Sequence, residues 1–303
     1  MRIILVGQAA FAEQVLDRLR ERQHDVLAVY CPPDSGERID PVKARALAVG
    51  IPVRQHQSLK GPEVQREFAD LGADLAVLAY VTQIVPRSIF EAPRLGSLCF
   101  HPSLLPRYRG GSAINWQIIK GETQTGVSVF WVDAGIDTGP ILLQRTAVIR
   151  PTDTSGSLYY DTLFPLGVDA VVEAVELVAA GKAPRVVQDE AQATYDPLCR
   201  DEHAAIDWSR PAATLYNLIR GCDPQPGAHT MLNGRPLRLY DAAIVHGRKL
   251  RPGVIDEISA DGWLVGTGDG GIRVKRVRAG DKKVDAGTFA TTHAVAAGTA
   301  LGT

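Results

Sequence analysis

The chain has 303 residues, 33 Lys plus Arg against 34 Asp plus Glu, and 45% hydrophobic residues. That near-neutral balance excludes a global electrostatic pull toward nucleic acid or membrane, and the apolar content is ample for one large or two domains. The cysteines Cys31, Cys99, Cys199 and Cys222 show no metal-site spacing, and Met1 leads into a short apolar run, not a charged leader; the expectation is free thiols, no structural metal, no signal peptide or membrane span, and a cytoplasmic location.

Arg2–Gly7 (RIILVG) reads as a buried strand, and Phe11, Val15, Leu16 and Leu19 fall on one face of a helix over about 11–22. Asp25–Tyr30 is a second strand, so the chain opens as βαβ with a parallel sheet. The first turn, Gly7-Gln-Ala-Ala-Phe11, lacks the GxGxxG spacing that brings backbone close to a pyrophosphate, so no NAD is expected. Helices over 41–49 and 62–71 bracket a short strand at Pro52-Val53, and Asp74–Leu78 is the next buried strand.

The stretch 96–143 carries the chemistry. Ser97–Phe100 is apolar and is followed at once by His101 and Pro102, which sets an imidazole at the carboxyl end of a strand, where open α/β sheets bind ligands. Pro102 and Pro106 forbid a helix over 103–111, Arg107 and Arg109 suit an anion, and Gly110 with Gly111 permits close backbone approach. Ser112 reads as the N-cap of a helix over 113–120. Strands follow over 126–132 and from Ile141, and the turn Asp133-Ala-Gly-Ile-Asp137-Thr-Gly139 between them is shaped to swing Asp137 toward His101. A carboxylate beside an imidazole stabilises its cationic form.

Thr152-Asp-Thr154 precedes an apolar-periodic helix over 157–180 ended by Gly181, and 183–203 is mixed, polar and proline-containing. The domains expected are 1–182, a linker 183–203, and 204–303. In the last, Ile206-Asp-Trp208, a helix over 212–221 and strands near 236–240, 253–258, 262–266 and 272–277 describe a small β-barrel, with a loose tail after Ala290. Arg248, Lys249, Arg251, Arg273, Lys275, Arg276 and Arg278 make this part basic, which serves solubility and edge protection or tracks a tRNA backbone.

His101-Pro-Ser-Leu-Leu-Pro106, Arg107-x-Arg109-Gly110 and Asp137-Thr-Gly139 together resemble the signature of folate-dependent formyltransferases. The resemblance implies an α/β fold: a Rossmann-like open, mostly parallel sheet followed by a small OB-fold-like β-barrel domain. It implies 10-formyltetrahydrofolate as formyl donor, His101 and Asp137 as catalytic residues, and a pterin pocket formed by the loop containing Tyr80, Val81, Gln83 and Ile84, although Tyr80 and Ile84 also read as ordinary core residues. Arg107 and Arg109, with Gly110 and Gly111, are the candidates to meet the folate. Cys99 stands where the family places an asparagine two residues before the histidine, and a thiol is a weaker donor to an oxyanion than an amide. Gly7-Gln8, Gly96-Ser97, Gly111–Trp116 and Phe130-Trp131 resemble the hydrolase domain of 10-formyltetrahydrofolate dehydrogenase. The expected function is therefore that of an enzyme acting on 10-formyltetrahydrofolate, transferring or hydrolytically releasing its formyl group, with the nearer likeness to the hydrolase. The alternatives are transfer to methionyl-tRNA or another amine, and a non-catalytic folate-binding regulator.

Overall fold

The computed structural model describes residues 1–34, 36 and 38–302. The chain forms two compact units that are discontinuous in sequence. The first comprises Met1–Gly111, Thr125–Ala147 and Tyr160–Asp196; the second comprises Ser112–Gln124, Val148–Tyr159 and the residues from Pro197 onward. Residues 112–124 and 148–159, expected within the first domain, thus cluster with the second. The expected linker 183–203 is likewise divided between them.

The first unit is built on β1 (Arg2–Gly7), β2 (Asp25–Cys31), β3 (Val53–Gln55), β4 (Leu75–Ala79), β5 (Ser97–His101), β6 (Gln124–Trp131) and β7 (Ile141–Val148), in the order β3-β2-β1-β4-β5-β6-β7. The first five pair in parallel, and β6 runs antiparallel to β5. Strand β1 is buried from Ile3 to Gly7, as a strand covered on both faces must be. Helices α1 (Ala9–Glu21), α2 (Pro41–Ala48), α3 (Pro62–Asp70) and the short α4 (Arg87–Phe90) fill the crossovers.

Alternation along the strands sorts the core into two faces. On one, Phe11 of α1 stacks on Phe100 with ring centroids 4.4 Å apart and meets Phe164 edge-on at 5.5 Å. On the other, Val6, Tyr30, Phe68, Leu78 and Ile89 form a cluster against which Val81, Val85, Cys99 and Val132 pack. Each fully buried Leu, Ile or Phe here contributes about 1.5–3 kcal/mol of apolar transfer. Gly7 has a steric reason: a Cβ there would lie 2.1 Å from the Ala79 carbonyl oxygen.

The long helix expected over 157–180 is interrupted. Thr154 makes a reciprocal capping box with Ser157 at the start of a single turn, α6 (Ser155–Ser157). Leu158–Leu163 then follows with wider π-type turns, and regular α7 runs only over Phe164–Ala179, with Pro165 tolerated in its first turn.

The second unit contains α5 (Ala113–Ile119), α8 (Ala212–Gly221) and an antiparallel sheet. Its strands are β8 (His229–Leu232), β9 (Arg235–Val245), β10 (Ile255–Ser259), β11 (Gly262–Gly266) and β12 (Gly271–Arg278), ordered β10-β11-β12-β9-β8, with β13 (Val284–Asp285) on β12. Trp208, Leu215, Ile219, Trp263 and Val274 belong to its core.

The tail expected to be loose is packed. Helix α9 occupies Ala286–His293, Leu301 is buried, and its N–H donates to the Gly253 carbonyl at 2.7 Å. An Ala/Thr/Gly composition concealed this, because one apolar anchor and a few backbone bonds suffice to order the segment. Among the described residues, no helix is long and apolar enough to cross a membrane.

Candidate functional site

Strand β5 ends on His101, which pairs with Ser128 of β6, and the ring is 5% exposed. Its Nε2 lies 2.7 Å from the Tyr108 carbonyl oxygen. A carbonyl only accepts, so Nε2 carries a proton and Nδ1 is the nitrogen left to exchange one. Nδ1 faces Asp137 Oδ2 at 3.5 Å. The ring is therefore oriented by a backbone carbonyl, with the carboxylate on its other nitrogen.

Asp137 is fixed from two sides. The Gly110 N–H donates to Oδ2 at 2.8 Å, which requires the backbone of Gly110 at φ +100, and the Asp137 backbone is itself left-handed at φ +56. The turn is closed from within by Asp133, whose Oδ1 accepts from the Gly135 N–H at 3.0 Å and the Thr138 hydroxyl at 2.6 Å.

Cys99 lies two residues before His101, on the same side of β5, and its thiol donates weakly to the Phe100 carbonyl at 3.5 Å. Burial, and then the Asp137 carboxylate, push the thiol well above its ordinary pKa. It is held as a neutral thiol, which disfavours direct nucleophilic attack by its sulfur.

The two arginines part ways. Arg109 is buried, with Nη2 donating to Gln188 Oε1 at 2.8 Å and to Glu190 Oε1 at 2.6 Å. Its charge is consumed internally, so it is not positioned for a folate carboxylate. Arg107 is exposed, with its guanidinium carbon 5.4 Å from the Tyr108 ring centre. Gly111 is exposed at the edge of the loop.

Gln188 is one of the residues that the sequence reading missed. Its Nε2 donates to the carbonyls of Asp137 at 2.9 Å and Gly139 at 2.7 Å, while its Oε1 accepts from Arg109. One buried amide thus ties the Arg109 loop to the Asp137 turn. Thr194 acts beside it: its hydroxyl accepts the Tyr108 N–H at 2.7 Å and its carbonyl accepts the Arg109 N–H at 2.9 Å. Beneath the loop, Ser128 Oγ accepts the Leu105 N–H at 3.1 Å, and Gln144 Nε2 donates to the Leu105 carbonyl at 2.9 Å. The only local signal for Gln188 and Thr194 was their place in a polar stretch, and that stretch reads as linker.

Ser112 stands at the head of α5 but does not cap it; its hydroxyl accepts the Cys199 N–H at 3.0 Å. Asn115 and Trp116 are likewise structural, donating to the carbonyls of Gly221 at 2.8 Å and Pro197 at 2.7 Å.

Of the loop after β4, Tyr80, Val81 and Gln83 line a shallow pocket with Thr82, Gln8 and Tyr30, at the carboxyl ends of β1, β2 and β4. Ile84 is 72% exposed and takes no part in its wall; nor do His101 and Asp137, which stand on the far side of β4 in the strand order. The backbone of Tyr80 is left-handed at φ +63 and that of Tyr108 at φ +60. Such conformations cost about 1–3 kcal/mol each in residues other than glycine, and they gather at sites where position matters more than ease.

Known proteins resemble this chain over most of its length. A family model described as "Formyl transferase" matches residues 1–175, and one described as "Formyl transferase, C-terminal domain" matches residues 199–294. A methionyl-tRNA formyltransferase of Trichlorobacter lovleyi is 40% identical over 307 residues, covering 99% of this chain and 96% of its own length. The mitochondrial 10-formyltetrahydrofolate dehydrogenase of Mus musculus is 44% identical over 250 residues, covering 81% of this chain; this chain spans 27% of the length of that relative. Among solved structures, HypX from Aquifex aeolicus in complex with tetrahydrofolic acid aligns with a TM-score of 0.72 at 22% identity, over 98% of this chain and 48% of that one, a likeness of fold.

Proposed function

The chain is an enzyme of the formyl transferase family, and from that premise we propose that it takes 10-formyltetrahydrofolate and releases the formyl group to water, giving formate and tetrahydrofolate. The observation that carries the reading is the His101–Asp137 pair at 3.5 Å with a neutral thiol, Cys99, two residues upstream. His101 Nδ1 accepts the proton of the attacking water, and the imidazolium formed is stabilised by Asp137. The same nitrogen then returns the proton to the departing amine nitrogen, so the C–N bond breaks without expelling an anion.

The folate heterocycle is read against Val81, Val85, Val132 and Cys99, which share one apolar cluster beside β5. A thiol in place of a carboxamide leaves the oxyanion with a weak donor. Four unpaired thiols suit a reducing compartment, and the cytoplasm is the location proposed.

A second reading, transfer to an amine, is favoured by one observation: a methionyl-tRNA formyltransferase matches this chain over 99% of its length and 96% of its own. Against a tRNA track, several barrel cations already have acidic neighbours: Arg273 with Glu257 at 3.2 Å, Arg248 with Asp256 at 2.8 Å and Arg276 with Asp241 at 3.8 Å. Incubation with 10-formyltetrahydrofolate alone separates the readings. Formate release without an acceptor supports hydrolysis, release only with an amine or methionyl-tRNA supports transfer, and folate binding without either product supports a regulator.

A further inference from the structure

Two thiols meet in the second unit. Cys222 directly follows α8 and is fully buried in the core of that unit, and Cys199, partly exposed, packs against the same core. The Cys222 S–H donates to the Cys199 sulfur.

Contacts that do not involve sulfur hold both in place. Ser112, at the head of α5, accepts the Cys199 N–H at 3.0 Å, and Asn115 within α5 donates to the carbonyls of Gly221 at 2.8 Å and Gln225 at 3.0 Å, to either side of Cys222. From β9, the Arg238 guanidinium binds the Asp201 carboxylate through two bonds of 2.9 Å, and also donates to the carbonyls of Pro226 at 2.9 Å and Gly227 at 3.0 Å. The Gly227 N–H returns to the Cys222 carbonyl at 2.8 Å. One helix and one strand thus each grip the chain beside both cysteines, so the thiols are presented to one another by rigid elements.

Their surroundings differ as the two steps of a dithiol oxidation require. Cys199 opens onto a polar cleft that it lines together with Ser112, Asn115, Arg200 and Gln225. The hydrogen bond from Cys222 holds Cys199 below its ordinary pKa, which raises its share of thiolate near neutral pH. Cys222, pushed up by the same bond and then by burial, keeps its proton.

We propose that Cys199 and Cys222 are a redox-active pair that a hydroperoxide converts to an intramolecular disulfide, fastening the segment around Cys199 to the end of α8. In the first step the Cys199 thiolate attacks one oxygen of hydrogen peroxide. The O–O bond breaks, Cys199 becomes a sulfenic acid, and the departing hydroxide takes up the proton that Cys199 had released and leaves as water. In the second step the Cys222 sulfur attacks the Cys199 sulfur, the S–O bond breaks, and the Cys222 proton leaves with that oxygen as a second water. The peroxide gains the two electrons that the thiol pair loses. A dithiol reductant reverses the bond by exchange, as befits a compartment in which disulfides are transient.

The test treats the full chain with hydrogen peroxide, blocks the remaining thiols with iodoacetamide and maps the tryptic peptides without reduction. Cleavage after Arg200, Arg210 and Arg220 separates the two cysteines, so their link appears as two joined peptides. The expected result is that link, formed about tenfold or more faster than oxidation of Cys31 or Cys99 and undone by dithiothreitol. A rise of several degrees in the thermal midpoint accompanies it, because the bond closes a loop in the unfolded chain. In Cys222→Ala, oxidation of Cys199 halts at the sulfenic acid, which dimedone captures; in Cys199→Ser, Cys222 stays a thiol and the gain in midpoint disappears. Cys199 oxidised in the parent without a link to Cys222, a link between other cysteines or between two chains, or a link that leaves the midpoint unchanged overturns the proposal. The parent map depends on neither variant folding, and no readout involves 10-formyltetrahydrofolate, so formyl release is judged separately.

Discussion

His101 and Asp137 are separated by 35 intervening residues, yet Nδ1 of one lies 3.5 Å from Oδ2 of the other, while the Tyr108 carbonyl holds the remaining ring nitrogen at 2.7 Å. This division of labour fixes the ring without using up the nitrogen that exchanges protons. His101→Ala and Asp137→Asn are each expected to lower formate release from 10-formyltetrahydrofolate by about 10²–10⁴-fold. Tetrahydrofolate affinity, followed by calorimetry, should stay within a few-fold of the parent. A variant with near-parental turnover would remove its residue from the chemistry.

Cys99→Asn puts an amide where the resemblance to folate-dependent formyltransferases leads one to expect it. The ratio of transfer to hydrolysis, measured with 10-formyltetrahydrofolate and an amine acceptor, is expected to rise by about tenfold or more, because an oxyanion donor is worth on the order of 10²-fold in sites that depend on it. An unchanged ratio would mean that the thiol is not what sets the outcome.

Gln188 is a positioning residue. Gln188→Ala deprives the Asp137 and Gly139 carbonyls and the Arg109 guanidinium of a buried partner, at a cost of about 1–3 kcal/mol of folding stability. Turnover should fall by about 10–100-fold with little change in KM, as for other groups that hold a reacting residue in register. Gln188→Glu, which keeps the acceptor toward Arg109 and loses the amide donors, should recover stability better than it recovers kcat. Parallel loss of both in the two variants would mark the residue as purely structural.

The four thiols should react in a definite order. Cys199 is held below its ordinary pKa by a hydrogen bond from the Cys222 thiol, whereas Cys31 is pushed up to about 11 and Cys99 and Cys222 are raised further. A lowered value means more thiolate near neutral pH, so iodoacetamide at pH 7.5 should label Cys199 at least tenfold faster than the others, with a labelling midpoint shifted to the acid side of a free cysteine. Mass-spectrometric mapping reads the order directly, and early labelling of Cys99 would contradict its enclosure beside Asp137.

The tail is a stability element. Leu301 is 5% exposed, and the Gly302 N–H donates to the Met231 carbonyl at 2.8 Å. Leu301→Ala should destabilise the second unit by about 2–4 kcal/mol, within the range for emptying a buried leucine site. Deletion of 296–303 should cost at least as much in thermal unfolding. No change in either would mean the segment is dispensable to the core.

Much of this was legible along the chain because it depends on local physics. Continuous apolar runs and period-3.6 faces gave β1, β2, β4, α1 and α8 to within a residue or two, and a histidine at a strand's end needs only that strand to be set at the sheet's carboxyl edge. The shortfalls share a different cause. Arg109 looked like an anion receptor because nothing near it in sequence is acidic; its partners, Gln188 and Glu190, lie about eighty residues away. Ser112 had a capping residue's identity, but the Cys199 amide claimed its hydroxyl.

The amino-acid sequence by itself determined the open parallel sheet and the antiparallel second unit, since each follows from the character of short stretches, while the three residues around which the chemistry is read came from the resemblance of their motifs to a known family. Only the tertiary structure decided which nitrogen of His101 is available and that Gln188 and Thr194 brace the site. Those outcomes depend on hydrogen bonds between groups remote in the chain. Such bonds are directional and short-ranged, so they exist only once packing has brought donor and acceptor within about 3 Å.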